Sequence, residues 1–190
     1  MDIIEYREDK INDLKRVNWL AMFTTTFSSY YLQEREAYQQ RMNITHNYLK
    51  VLCNKMKLPF RKLEYYIQDE IAGGIDKPNG KGHIHGLVTF KYAPQDYLKH
   101  KKDLKNNLQK VSQNYGITNV KEYDYVNYNE QGIRYSAKIG KGKLIEFSGI
   151  DYHSPQLKKV ISEAKRLDIT ESWLLENANK RIDEKLFNAL

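Results

Sequence analysis

One cysteine, Cys53, is all that the chain offers in 190 residues. That excludes an internal disulfide framework and any Cys-rich zinc site. Cys53 lies in the apolar-periodic stretch NYLKVLCNKM and reads as a small buried hydrophobe. Long apolar runs are missing too. The longest candidate, Trp19 to Phe27, is interrupted by three threonines, and falls well short of the roughly 20 residues that span a bilayer. The first ten residues, MDIIEYREDK, are charged and hold no signal-peptide core. There is no internal repeat and no low-complexity tract. These absences predict a soluble, intracellular, cytoplasmic protein with no membrane partner. The nucleotide-binding pattern GxxxxGK[ST] is also absent from these residues, so duplex unwinding, where required, is expected to come from elsewhere.

What is present points to a packed domain. Hydrophobic residues make up 41% of the chain, enough for a core, and the length suits one domain with a small appendage. The net charge is +7. Between Lys81 and Lys143 there are 12 basic and 5 acidic residues, a difference of +7, and the remainder balances at 19 against 19. The whole basic excess therefore sits in the middle third, which predicts a polyanionic partner there.

The pattern alternates strands and helices. Trp19–Phe27 is rich in aromatic residues and threonine, as strands are. From Gln33 to Lys57 the apolar positions Ala37, Ile44, Tyr48, Val51, Leu52 and Met56 predict a helix that Pro59 ends. Leu63–Ile71 and His83–Phe90 read as two strands of a hairpin around the Gly/Pro-rich loop AGGIDKPNGKG. Lys99–Tyr115 is a basic amphipathic helix, with Leu104, Leu108 and Val111 on one side. Ile117–Val126 predicts a fourth strand, Gln131–Ile139 a short helix and Lys143–Gly149 a last strand. After Ser154 and Pro155, which suit a helix start, two helices are expected. The fold class expected is α+β: an antiparallel ferredoxin-like or RRM-like sheet with flanking helices and a C-terminal helical extension. The division expected is 1–150 for the core domain and 151–190 for the extension.

Two short motifs carry chemistry. In His83-Ile84-His85 the histidines are two apart in a strand, so both imidazoles point one way and Ile84 the other. Paired imidazoles start a divalent-metal site. The preceding strand supplies Asp69 and Glu70 near its end. A carboxylate there completes a two-histidine, one-carboxylate set, and spacing alone leaves both acids open. Non-haem iron oxygenases use this ligand set as well, but a basic middle third does not call for that chemistry. The second motif is Tyr135-Ser-Ala-Lys138, in which tyrosine and lysine share a helix face. A phenol is a poor nucleophile near its ordinary pKa of about 10. Metal or ammonium charge at a phosphodiester offsets this, and a phosphotyrosine bond stores the energy needed for rejoining.

Taken together these pieces resemble the HUH endonuclease superfamily, in particular the single-tyrosine rolling-circle replication initiators (Rep proteins) of plasmids and small single-stranded DNA viruses. FTTTF (Phe23–Phe27) resembles its first motif, HIHGLV (His83–Val88) its histidine motif and YSAK (Tyr135–Lys138) its tyrosine motif, over residues 19 to 148. The resemblance implies Mg²⁺ or Mn²⁺ held by His83, His85 and Glu70, since an apolar residue such as Ile71 follows the family's acid. The loop between Glu70 and His83 is longer than in the family. The resemblance further implies Tyr135 as nucleophile and Lys138 as its helper. DNA contacts fall on Thr24, Thr26, Lys81, Arg134 and Lys141. The expected product is a 5′-phosphotyrosine with a free 3′-hydroxyl. The implied partners are single-stranded origin DNA, linear or hairpin, with a host helicase and polymerase. Single-tyrosine transposases and relaxases are the nearest enzymatic alternatives. Outside that class stands an RRM-like module that only stacks single-stranded bases.

Overall fold

The protein was analysed as a computed structural model, which describes residues 3–71, 81–90, 97–123, 130–137, 151–155 and 157–159. Its elements are α1 (Ile3–Lys15), β1 (Ala21–Phe27), α2 (Tyr30–Gln33), α3 (Tyr38–Lys55), β2 (Leu63–Ile71), β3 (Gly82–Phe90), α4 (Tyr97–Ser112), β4 (Gly116–Glu122), α5 (Gln131–Ser136) and β5 (Asp151–His153). The strands form one sheet in the order β4-β1-β3-β2-β5, with every neighbouring pair antiparallel. Without β5, the run β1-α3-β2-β3-α4-β4 is the β-α-β-β-α-β arrangement of ferredoxin-like and RRM-like domains. The expected α+β class is therefore the observed one.

Strand alternation sorts the residues onto two faces. On the rear face Phe23, Phe27, Leu63, Tyr65, Ile67, Ile84, Val88, Phe90 and Val120 bury against Leu49, Leu52 and Cys53 of α3 and Leu104, Leu108 and Val111 of α4. Burial pushes the Cys53 thiol up to about 12, as suits a packing residue. The front face is covered over only half its length. There Ile11 and Leu14 of α1, with Trp19, Ile133, Ala137 and Leu157, pack on Tyr66, Leu87 and Tyr123. The other half of the front face holds the histidines.

Some boundaries differ from the sequence reading. Sequence left the first eighteen residues unassigned, yet α1 supplies Ile11 and Leu14 of the front cover. The helix expected from Gln33 breaks at Glu34, whose backbone is extended (ψ 151°). The Leu32 and Glu34 carbonyls accept from Arg41 rather than from a continuing helix. At its other end α3 closes before Pro59. Lys57 is left-handed (φ 55°), and Leu58 N–H bonds Cys53 O while Lys57 N–H bonds Asn54 O, the 6→1 and 5→2 pair that satisfies the last carbonyls. The sheet also gains Asp151–His153 on the edge of β2, so it runs past the boundary expected at 150. Ser154 N–H bonds Tyr65 O, and Ser154 Oγ accepts from Leu157 N–H, capping the turn that follows. The strand expected at 143–149 and most of the C-terminal helical pair lie outside the described residues.

Candidate metal centre

Register builds the site. Glu70 on β2 pairs with His83 on β3, Gln68 pairs with His85, and Thr24 and Thr26 on β1 pair with His85 and His83. All six side chains share the front face. Three of them converge: one ligand atom each from Glu70, His83 and His85 lie within 4.8 Å of one another. His85 Nε2 is 3.1 Å from His83 Nε2 and 2.9 Å from Glu70 Oε2, and His83 Nε2 is 3.9 Å from Glu70 Oε2. Two donors about 2.1 Å from one ion and at right angles lie about 3.0 Å apart. The first two separations match that, so the three residues fit a divalent ion.

The remaining ring nitrogens support the same fit. His83 Nδ1 donates to the carbonyl of Lys81 at 3.2 Å; a carbonyl only accepts, so Nε2 keeps its lone pair for an ion. His85 Nδ1 lies 3.0 Å from Thr24 Oγ1. A hydroxyl both donates and accepts. With a proton on His85 Nε2, Thr24 donates to Nδ1; with an ion in place of that proton, Nδ1 donates to Thr24. Fixing a metal-binding imidazole through its second nitrogen is a common device.

Asp69, the other acid that spacing allowed, faces the rear. There it is fully buried and receives Arg41 Nε at 2.5 Å and Nη2 at 2.7 Å. Burial pushes its carboxyl above the ordinary range, and the two bonds from Arg41 pull the other way. Arg41 is itself fully buried and touches Gly82 so closely that a Cβ there would meet its guanidinium at 2.3 Å. This clamp joins the end of β2 to α3 directly behind the metal centre. Nothing in the sequence reading singled out Arg41.

Tyr135 stands over the site from α5. Its ring meets the His85 ring edge to face, with centroids 4.8 Å apart at 75°, and it is 43% exposed. Two contacts set α5 in place. Gly132 lets it approach Tyr123, where a Cβ would lie 2.3 Å from the ring. Arg134, expected at DNA, donates to Glu8 of α1 at 2.8 and 3.0 Å and to Glu130 at 2.7 Å. Those carboxylates hold the guanidinium well above its ordinary pKa. Burial pushes the Glu130 carboxyl up, but hydrogen bonds from Lys15 and Arg134 outweigh it and hold Glu130 below the usual carboxylate range. Lys81 and Thr26 are exposed beside His83. Lys138 and Lys141 lie outside the described residues.

Deeper along the front face Tyr66 donates to Gln68 Oε1 at 2.5 Å. The ring of His153 meets Tyr66 edge to face at 5.3 Å. His46, expected to be a packing or surface residue, contacts Tyr65 and Phe60 on the rear side. No helix among the described residues is long and apolar enough to cross a membrane. Comparison of the chain with protein-family models, with curated proteins and with solved structures finds no match.

Proposed function

We propose that the chain is a metal-dependent single-tyrosine enzyme that nicks and rejoins single-stranded DNA, a replication initiator of the HUH kind. The observation that carries this reading is the edge-to-face contact of Tyr135 with His85, which sets a half-exposed phenol against a His-His-Glu group. This tyrosine faces solvent beside three metal-ligating atoms, on the uncovered half of a sheet. The basic excess of residues 81–143 suits a phosphate backbone.

In this reading His83 Nε2, His85 Nε2 and Glu70 Oε2 hold Mg²⁺ or Mn²⁺, which supplies charge stabilisation at the scissile phosphate. Tyr135 Oη forms a bond to phosphorus, the P–O3′ bond breaks, the phenol proton is lost and the departing 3′ oxygen takes up a proton. The 5′ side stays on the enzyme as phosphotyrosine, and the 3′-hydroxyl is free to prime synthesis or to reverse the step. Thr24 and Lys81 O fix the histidine rings, and the Arg134 bonds hold α5 so that Tyr135 faces the phosphate rather than α1. Lys138, three residues after Tyr135 in the sequence, is proposed to bind the phosphate or the phenolate.

The test is direct. Labelled single-stranded oligonucleotides spanning the origin of the encoding replicon are incubated with the protein, with and without Mn²⁺, and resolved on a denaturing protein gel. A covalent adduct that needs metal and disappears in Tyr135→Phe is expected. Tight binding with no adduct on any oligonucleotide would sink this reading in favour of a non-catalytic single-strand-binding module.

A further inference from the structure

The end of the sheet that carries the metal centre also carries the most exposed large apolar side chains among the described residues. Ile117 is 81% exposed, Tyr30 80% and Tyr31 54%. Thr26 pairs with His83 on one side and with Ile117 on the other, so Ile117 lies in the same front-face row as His83. Tyr30 and Tyr31 open α2, just beyond Phe27, where β1 leaves the sheet at that same end.

A four-residue helix with no side-chain cap has little stability of its own. α2 is fastened from outside instead. Gln33 Nε2 donates to Phe27 O at 2.6 Å, and Arg41 Nη1 donates to Leu32 O at 2.9 Å and to Glu34 O at 2.5 Å. Arg41 is in turn gripped by Asp69. Leu32 packs on the rear core. The turn is thus held by partly buried bonds while its two tyrosine rings are exposed. Presenting flat apolar rings on a fixed support is how proteins take up unpaired bases. Exposed Lys81 beside His83 gives the adjoining surface the charge that a phosphate backbone needs.

We propose that Tyr30, Tyr31 and Ile117 form a base-stacking ledge for single-stranded DNA, from which the strand crosses Thr26 to reach His83, His85 and Tyr135. The ledge rests on the nicking reading for its ligand, and it adds where the flanking nucleotides lie. A duplex keeps its base faces stacked inside, so the ledge selects single strands.

The experiment is fluorescence anisotropy with a labelled mixed-sequence oligonucleotide, single-stranded and as a duplex, in the full-length Tyr135→Phe protein so that no strand is cut. Adding Tyr30→Ala and Tyr31→Ala together is expected to weaken single-strand binding about thirtyfold or more, the lower end of two stacked bases. Weak duplex binding should not change. Tyr30→Trp with Tyr31→Trp should restore single-strand affinity, and their fluorescence should quench on binding. Because these rings are exposed, the melting temperature of each variant should stay at the parent's value. Equal single-strand affinity for the parent and the double alanine variant overturns the ledge and leaves the nicking reading standing. A parent that binds no single strand overturns both together. Unchanged DNA affinity with loss of self-association on ultracentrifugation would make the patch a contact between copies of the chain and also overturn the ledge.

Discussion

Asp69 and Glu70 are adjacent on β2, yet the two faces of the strand give them opposite surroundings. Asp69 points to the rear, where α3 covers the sheet and Arg41 binds both its oxygens. Glu70 points to the front, where the helical cover stops and two imidazole nitrogens lie 2.9 and 3.9 Å away. Burial without a partner is costly for a carboxylate, so the rear acid is tied to one fixed cation. The front acid stays partly exposed and keeps an oxygen directed at two lone-pair donors, an arrangement that a mobile divalent ion can join. One strand thus supplies a structural acid and a ligand acid, and the helix cover decides which is which. The two are also coupled. The rear clamp joins the end of β2 to α3 and to the carbonyls of the α2 turn, so the ligand acid at the front is carried on an immobilised strand end.

The widest separation between the faces should come from Arg41→Ala. It leaves Asp69 buried without its cation, which costs about 3–5 kcal/mol, and it removes the donors of Leu32 and Glu34. Urea unfolding should show a loss of that order, large against a typical domain stability of about 5–15 kcal/mol. Pairing Arg41→Met with Asp69→Leu removes the stranded charge and should recover most of the loss. A residue of about 1 kcal/mol for each lost carbonyl bond should remain. Full recovery would show that the bonds to α2 add nothing.

Glu70→Gln probes the front face and should do the reverse. Its side chain is partly exposed and stabilises little, so unfolding without metal should hardly change. Metal affinity should fall steeply, because the only anionic ligand among the described residues is gone. The wild type should be stabilised by Mn²⁺ according to occupancy, about 2.7 kcal/mol at a hundredfold excess over Kd. Glu70→Gln and His85→Ala should show little of that gain at the same Mn²⁺ concentration. Asp69→Asn should keep the metal response while losing stability. A metal response that survived in Glu70→Gln would break the assignment of ligand and structural acid.

Much of this was legible in the sequence. The strand pair around His83 and His85, the basic amphipathic helix and the antiparallel α+β class follow from periodicities of 2 and 3.6. The choice between the acids was also written there, in strand parity. Leu63, Tyr65, Ile67 and Ile71 share a parity with Asp69, and the apolar side of β3 is that of Ile84, Val88 and Phe90. Glu70 has the opposite parity and so falls with the histidines. What sequence did not convey were partnerships between distant segments. Arg41 looks like any helix arginine until Asp69 is placed behind it. Nothing near Arg134 in sequence announces Glu8 of α1, which it meets at 2.8 Å. The edge strand Asp151–His153 is too short to announce itself by alternation. Its pairing depends on an unpaired edge of β2 that only the assembled sheet presents.

The smallest effect concerns the helix that carries Tyr135. The Glu8–Arg134–Glu130–Lys15 network is partly exposed, from 8% at Lys15 to 43% at Glu8, unlike the Arg41–Asp69 clamp, so solvent screens it and its whole worth is about 1 kcal/mol. Glu130 is held below the usual carboxylate range, so its contribution is present above its unfolded pKa of about 4.3. That contribution is lost as pH falls through the lower folded value. Glu130→Gln should therefore cost its full amount near neutrality, and the gap from wild type should close as pH drops below about 4.3. A gap that persisted at low pH would mean that packing, not charge, holds Glu130 in place. Because the network sets α5 rather than the ligands, the variant should keep its Mn²⁺ response. It should form the covalent adduct severalfold more slowly, since Tyr135 would be held less firmly against His85. Equal adduct rates with α5 loosened would mean that the sheet and the DNA position the nucleophile by themselves. In that case the front face would owe its order to the substrate rather than to the helix that covers it.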